Sequence, residues 1–128
     1  MAEVTCTSHA TVLVVEDEWL IGEMVSEALA DQGFDVHLVS NAADALSLLS
    51  GLAIDVLFTD INIAGDLDGS TLALRAREMC PDLPIVFASA RTSLLEDLRA
   101  MPGATCLPKP YSPEQVCAAV ESLFATRH

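Results

Sequence analysis

The sequence predicts an α/β domain, a three-layer doubly wound sandwich of (βα)5 type with a parallel five-stranded sheet. Three observations carry that prediction. Short apolar runs alternate five times with stretches whose apolar residues recur every three or four positions, the signature of strand-helix repeats and a parallel sheet. No internal repeat, low-complexity tract or linker interrupts the alternation. The 128 residues suit one core rather than two. They divide into an amino-terminal arm, residues 1–10, and a single domain, residues 11–126.

The elements follow in order. Thr11 to Val15 is almost wholly apolar, as expected of a central parallel strand buried on both faces. Leu20, Ile21, Met24, Val25, Ala28 and Leu29 make one helical stripe, and Gly33 is placed to stop it. Val36 to Val39, interrupted by His37, is assigned to an edge. Asn41 is a candidate N-cap for a helix carrying Ala45, Leu46 and Leu49, with Gly51 as its stop. Ile54 to Thr59 is a second central run. A third stripe, Leu72, Ala73, Ala76 and Met79, leads to the third central run, Ile85 to Ala88. Leu94, Leu95, Leu98 and Met101 form a fourth stripe. Thr105 to Leu107, closed by Pro108, is the other edge, since proline cannot donate to a central ladder. Ser112, with Pro113 after it, caps a last helix built on Val116, Val120, Leu123 and Phe124. Three centres and two edges fit the order 2-1-3-4-5 of flavodoxin-like sheets, an order matched to that architecture rather than derived.

Composition narrows the function. Nineteen Asp and Glu stand against six Lys and Arg, a formal charge of -13 with a pI near 4.2. Such a surface repels phosphate backbones and anionic lipid, so the expected partners exclude nucleic acid and membrane. Divalent cations and basic protein surfaces suit it better. No apolar run approaches the ~20 residues of a membrane span, and no leader pattern opens the chain, so a cytoplasmic location is expected. Cys6, Cys80, Cys106 and Cys117 form no CxxC pair, and Cys80, Cys106 and Cys117 are read as small buried hydrophobes. His9, His37 and His128 are assigned no role.

In a parallel sheet, ligands bind beyond the carboxyl ends of the strands. There the first strand is followed by Glu16, Asp17 and Glu18, the third by Asp60, the fourth by Ser89 and the fifth by Lys109 and Pro110. Converging carboxylates repel, and a hard divalent cation such as Mg²⁺ removes that penalty. Lys109, the only lysine, adds a compact positive charge, and Ser89 a hydroxyl. Taken singly each residue is ordinary: an Asp at a strand end is commonly a helix cap, and a Lys-Pro a turn. Together, on four strands of one sheet, they make equipment for phosphoryl transfer to a carboxylate.

The stretches Val14-Val15-Glu16-Asp17-Glu18, Leu57-Phe58-Thr59-Asp60-Ile61-Asn62, Phe87-Ala88-Ser89-Ala90 and Leu107-Pro108-Lys109-Pro110-Tyr111 resemble the receiver domain of bacterial two-component response regulators, the CheY-like family. The likeness runs from about Thr11 to Phe124. It implies that Asp60 is the phosphoacceptor, supplied by a histidine kinase or a histidine phosphotransfer protein. It further implies that Asp17, Asp60 and the Asn62 carbonyl bind Mg²⁺, with Glu16 reaching the ion through water, and that Ser89 and Lys109 hold the phosphoryl group. A cis peptide at Pro110 is expected from the same likeness. With no effector segment after Phe124, a stand-alone receiver is expected, acting on an unknown downstream protein through the face of the fourth predicted helix, fifth strand and last helix.

The chain departs from that pattern in four places. Glu16 replaces the commoner Asp, and Ser89 stands where Thr is frequent. Cys106 occupies the position where many members carry a switching aromatic; Tyr111, taken as an exposed packing aromatic, is the candidate to replace it. The loop after Asp60 has Ala64 for Pro and one extra residue before Gly69; its acids Asp66 and Asp68 lack the ligand ladder of a calcium loop. Arg91 is placed either over the phosphoryl site or in solvent. Two other readings fit these residues less well. A Mg²⁺-dependent phosphohydrolase of the haloacid dehalogenase kind needs a general acid where Asn62 stands. A pseudo-receiver binding without phosphorylation would not need the complete acidic set with Ser89 and Lys109. The chain is therefore expected to be no enzyme beyond handling phosphate on its own Asp60.

Overall fold

The computed structural model describes residues 10–61, 69–90 and 102–127. They form β1 (Thr11–Val15), α1 (Trp19–Asp31), β2 (Asp35–Val39), α2 (Ala42–Gly51), β3 (Val56–Asp60), α3 (Gly69–Met79), β4 (Ile85–Ser89), β5 (Ala104–Pro108) and α4 (Pro113–Arg127). All strands pair in parallel, in the order β2-β1-β3-β4-β5, as expected. The stripe at Leu94 to Met101, Arg91 and the loop from Asn62 to Asp68 lie outside the described residues.

Alternation along the strands builds two cores. Leu13, Val15, Leu57, Ile85 and Phe87 pack under α2 and α3. Val12, Val14, Val56, Phe58 and Val86 face the other way, onto α1 and α4. Central strands therefore carry apolar side chains on both faces, while β2 and β5 stay half-buried at the edges. Cys117 is buried as expected, but Cys80 and Cys106 are only half-buried and pack at the margin of the α2–α3 core. β3 begins at Val56, two residues later than its apolar run. Ile54 already packs in the core, while Asp55 turns to accept the Thr11 N–H at 2.8 Å.

Helix ends follow local chemistry. Gly33, at φ 98°, closes α1 with paired bonds from Gly33 N–H to Ala30 O and Phe34 N–H to Leu29 O, at 3.0 and 3.2 Å. Asn41 accepts the Asp44 N–H at 2.8 Å. Ser112 and Gln115 cap reciprocally, at 2.8 and 3.2 Å. α2 ends at Gly51 as expected, but without a left-handed cap: Gly51 stays outside that region, and the Leu52 N–H continues the ladder to Leu48 O. At the opposite end of the sheet from the strands' carboxyl termini, Arg77 donates to Leu83 O at 2.7 Å and to Pro102 O, tying α3 to the entries of β4 and β5. No helix among the described residues is long and apolar enough to cross a membrane.

Candidate functional site

Strand register brings the acids together. Val15 pairs with Thr59, so Glu16 and Asp60 are the next residues on adjacent strands. Asp60 sits opposite Ala88, and Ser89 opposite Pro108. The Lys109 N–H donates to Ser89 O at 3.0 Å, which carries the ammonium stem back toward β3. The Lys109–Pro110 peptide is cis. The sheet thus unites Glu16, Asp17, Asp60, Ser89 and Lys109, which are scattered over more than 90 positions of sequence.

Carboxylate oxygens of Glu16, Asp17 and Asp60 lie within 4.8 Å of one another. Glu16 and Asp60 are buried and Asp17 is exposed. The Lys109 ammonium donates to Asp60 Oδ2. Glu16 is held at both oxygens: the Glu18 N–H donates to Oε1 at 3.1 Å and the Tyr111 hydroxyl to Oε2 at 3.2 Å. Burial, aided by the Asp60 charge, outweighs the Glu18 N–H, Lys109 and Tyr111, and pushes the Glu16 carboxyl up to about 7. Burial alone would lower the Lys109 pKa, but the hydrogen bond and charge of Asp60, with Glu16 and Glu18, leave it above the ordinary lysine value. The Tyr111 phenol is raised by its burial and by the Glu16 carboxylate beside it.

Three hard-oxygen groups converging on one point, with an ammonium engaging only one of them, fit a small divalent cation such as Mg²⁺. Asn62, expected to add a carbonyl ligand, lies outside the described residues. Ser89 is fully buried at the end of β4, one residue beyond the partner of Asp60.

Two contributions to the site escaped the sequence reading, the close approach of Gly69 and the bond from Tyr111 to Glu16. Gly69, the first residue of α3, donates its N–H to Ile61 O at 2.8 Å. A Cβ there would lie 2.2 Å from Asp60 O and 2.7 Å from Ile61 Cα, so only glycine lets the helix start against the Asp60 backbone. In the sequence Gly69 was merely the end of an acidic turn. Tyr111 is the other: it is half-buried rather than exposed, edge-to-face with Phe58 at 5.6 Å, and bonded to Glu16. It packs with the α1–α4 core, whereas Cys106 packs with the α2–α3 core. Tyr111 therefore does not occupy the place of the missing aromatic; it lies across the sheet from it. Beside the acids, Glu18, Ile21, Met24, Pro110 and Tyr111 help line a groove of about 370 Å³.

The family model of the response regulator receiver domain matches residues 12–121. Among solved structures, a response regulator receiver protein from Sinorhizobium medicae superposes with TM-score 0.85 at 36% identity, covering 94% of this chain and 98% of that one. The receiver domain of the hybrid histidine kinase CckA gives TM-score 0.75 at 26% identity, covering 90% and 99%. Among curated proteins, the sensor kinase CckA of Brucella abortus is 31% identical over 92% of this chain but 13% of its own length. Response regulator MprA of a Mycobacterium species is 29% identical over 88% of this chain and 50% of its own. The chain spans half or less of the curated relatives' length.

Proposed function

The chain belongs to the response regulator receiver domain family of two-component signalling, and from that premise we propose that Asp60 is a reversible phosphoacceptor. The phosphoryl donor is a phosphohistidine, on a histidine kinase or a histidine phosphotransfer protein. The observation that carries this reading is the convergence of Glu16, Asp17 and Asp60 with Lys109 bonded to Asp60.

An Asp60 carboxylate oxygen attacks phosphorus in line with the phosphohistidine nitrogen. The P–O bond forms as the P–N bond breaks, and the bonding pair returns to the ring nitrogen. With the other ring nitrogen already protonated in the donor, the ring leaves as neutral imidazole and Asp60 becomes an acyl phosphate. Glu16, Asp17 and Asp60, with the Asn62 carbonyl, are the groups to hold Mg²⁺, which when bound offsets the charge of the phosphoryl oxygens. Lys109 shifts from the carboxylate to a phosphoryl oxygen, keeping its charge beside the new anion. The Ser89 hydroxyl donates to another oxygen. Burial of Asp60 limits the access of water to the acyl phosphate. The phosphorylated surface then presents altered contacts to a downstream protein.

Incubation of the full chain with Mg²⁺ and a small phosphodonor or beryllofluoride tests the assignment. Wild type is expected to be modified and Asp60→Asn to remain unmodified. A phosphoprotein that survives Asp60→Asn overturns the choice of Asp60.

A further inference from the structure

We propose that Tyr111 is a positioning residue for the acidic site, fixing Glu16 in the orientation that converges with Asp17 and Asp60 on a divalent cation. The proposal rests on the cation reading given above and adds a residue from outside the acidic set.

A glutamate side chain has three rotatable bonds, and ordering them at the moment of cation capture opposes binding. Here the ordering is already done. One Glu16 oxygen accepts from the Glu18 backbone and the other from the Tyr111 hydroxyl, at 3.1 and 3.2 Å. Each oxygen keeps a second lone-pair direction for an ion or its hydration water. The hydroxyl can act as a fixed donor because its ring cannot wander: it stands edge-to-face on Phe58, a fully buried β3 residue two before Asp60. Tyr111 also follows Lys109 by two positions, so one short segment sets both the ammonium on Asp60 and the hydroxyl on Glu16. With Cys106 on the opposite face, this aromatic contact links the site to the α1–α4 side of the sheet.

Calorimetric titration of Mg²⁺ into the full chain tests the proposal, using wild type, Tyr111→Phe, Glu16→Ala and the double variant. Tyr111→Phe keeps the ring and removes the hydroxyl; it is expected to weaken Mg²⁺ binding about fivefold. In the Glu16→Ala background, where no acceptor is left for the hydroxyl, the same change is expected to add less than about twofold. Tyr111 is the only tyrosine, so a tyrosine-selective ring label gives one NMR resonance, expected to shift in step with the wild-type titration. A hydroxyl that only supports the fold would weaken binding equally in both backgrounds, and that result overturns the positioning role. Wild type binding Mg²⁺ with Tyr111→Phe indistinguishable from it overturns the role as well, and leaves the proposed function standing. Wild type that binds no Mg²⁺ overturns both. Should Tyr111→Phe fail to fold, a wild-type Tyr111 resonance unmoved by saturating Mg²⁺ overturns the proposal.

Discussion

Lys109 and Asp60 are the pair on which the metal-free site depends. Asp60 is buried, and the Lys109 ammonium donates to its carboxylate. Removing one partner of such a pair strands the other in a poorly solvated place. Lys109→Ala is therefore expected to fold but to lose about 2 kcal/mol in metal-free buffer, less than a fully buried pair because Lys109 is partly exposed. Millimolar Mg²⁺ is expected to recover most of that loss, since the cation takes over neutralisation of the same carboxylates. Urea unfolding with and without Mg²⁺ checks this, and a Lys109→Ala protein as stable as wild type without Mg²⁺ would contradict it. At this scale the sequence was legible where a functional residue lies at the carboxyl end of a strand, as Glu16, Asp60 and Lys109 do. It was illegible where the partner is distant. Nothing in single-residue patterning indicates that Tyr111 reaches Glu16, 95 positions away, or that Gly69 must lie against the Asp60 backbone.

At the scale of the element, the end of α1 shows how much of the fold is local. Gly33 adopts φ 98°, and its N–H and that of Phe34 satisfy carbonyls that the helix would otherwise leave unpaired. Phe34 then enters the α1–α4 core and meets Phe124 edge-to-face at 6.2 Å, so the turn also aims β2. Gly33→Ala keeps these bonds only by forcing a Cβ into the left-handed region. It is expected to cost about 1 kcal/mol, with cation affinity unchanged because the turn lies at the far end of α1 from the acids. Chemical denaturation read beside a Mg²⁺ titration checks both halves of that expectation. Gly33 was recognisable because a glycine after a periodic stripe has one common use. Gly51 had the same sequence signature, yet α2 ends without a left-handed residue, as its chain continues directly into the extended Leu52. The strands were found from their apolar runs. Their limits were less visible, because Ile54 is buried by the α2–α3 core rather than by the ladder, and only the Asp55–Thr11 bond reveals where pairing starts.

Across the whole molecule the balance of charge is -13, and the fold concentrates three of those acids at one end of the sheet. Compaction brings like charges closer, so folding works against their mutual repulsion. Raising ionic strength from about 0.01 to 0.15 M shortens the screening length from about 30 to about 8 Å and relieves the long-range part of that repulsion. Sodium chloride over this range is expected to stabilise the protein by about 1 kcal/mol, or about 3 °C in melting midpoint. Screening treats every surface acid alike, whereas the acidic site distinguishes ions by charge density and coordination. Mg²⁺ at matched ionic strength is therefore expected to raise the midpoint further, by a saturating increment that follows site occupancy rather than ionic strength. Scanning calorimetry in NaCl and in MgCl₂ separates the two contributions. Equal midpoints at equal ionic strength would mean that the carboxylates meeting at Glu16, Asp17 and Asp60 act only as part of a diffuse negative surface, with no selective cation site among them.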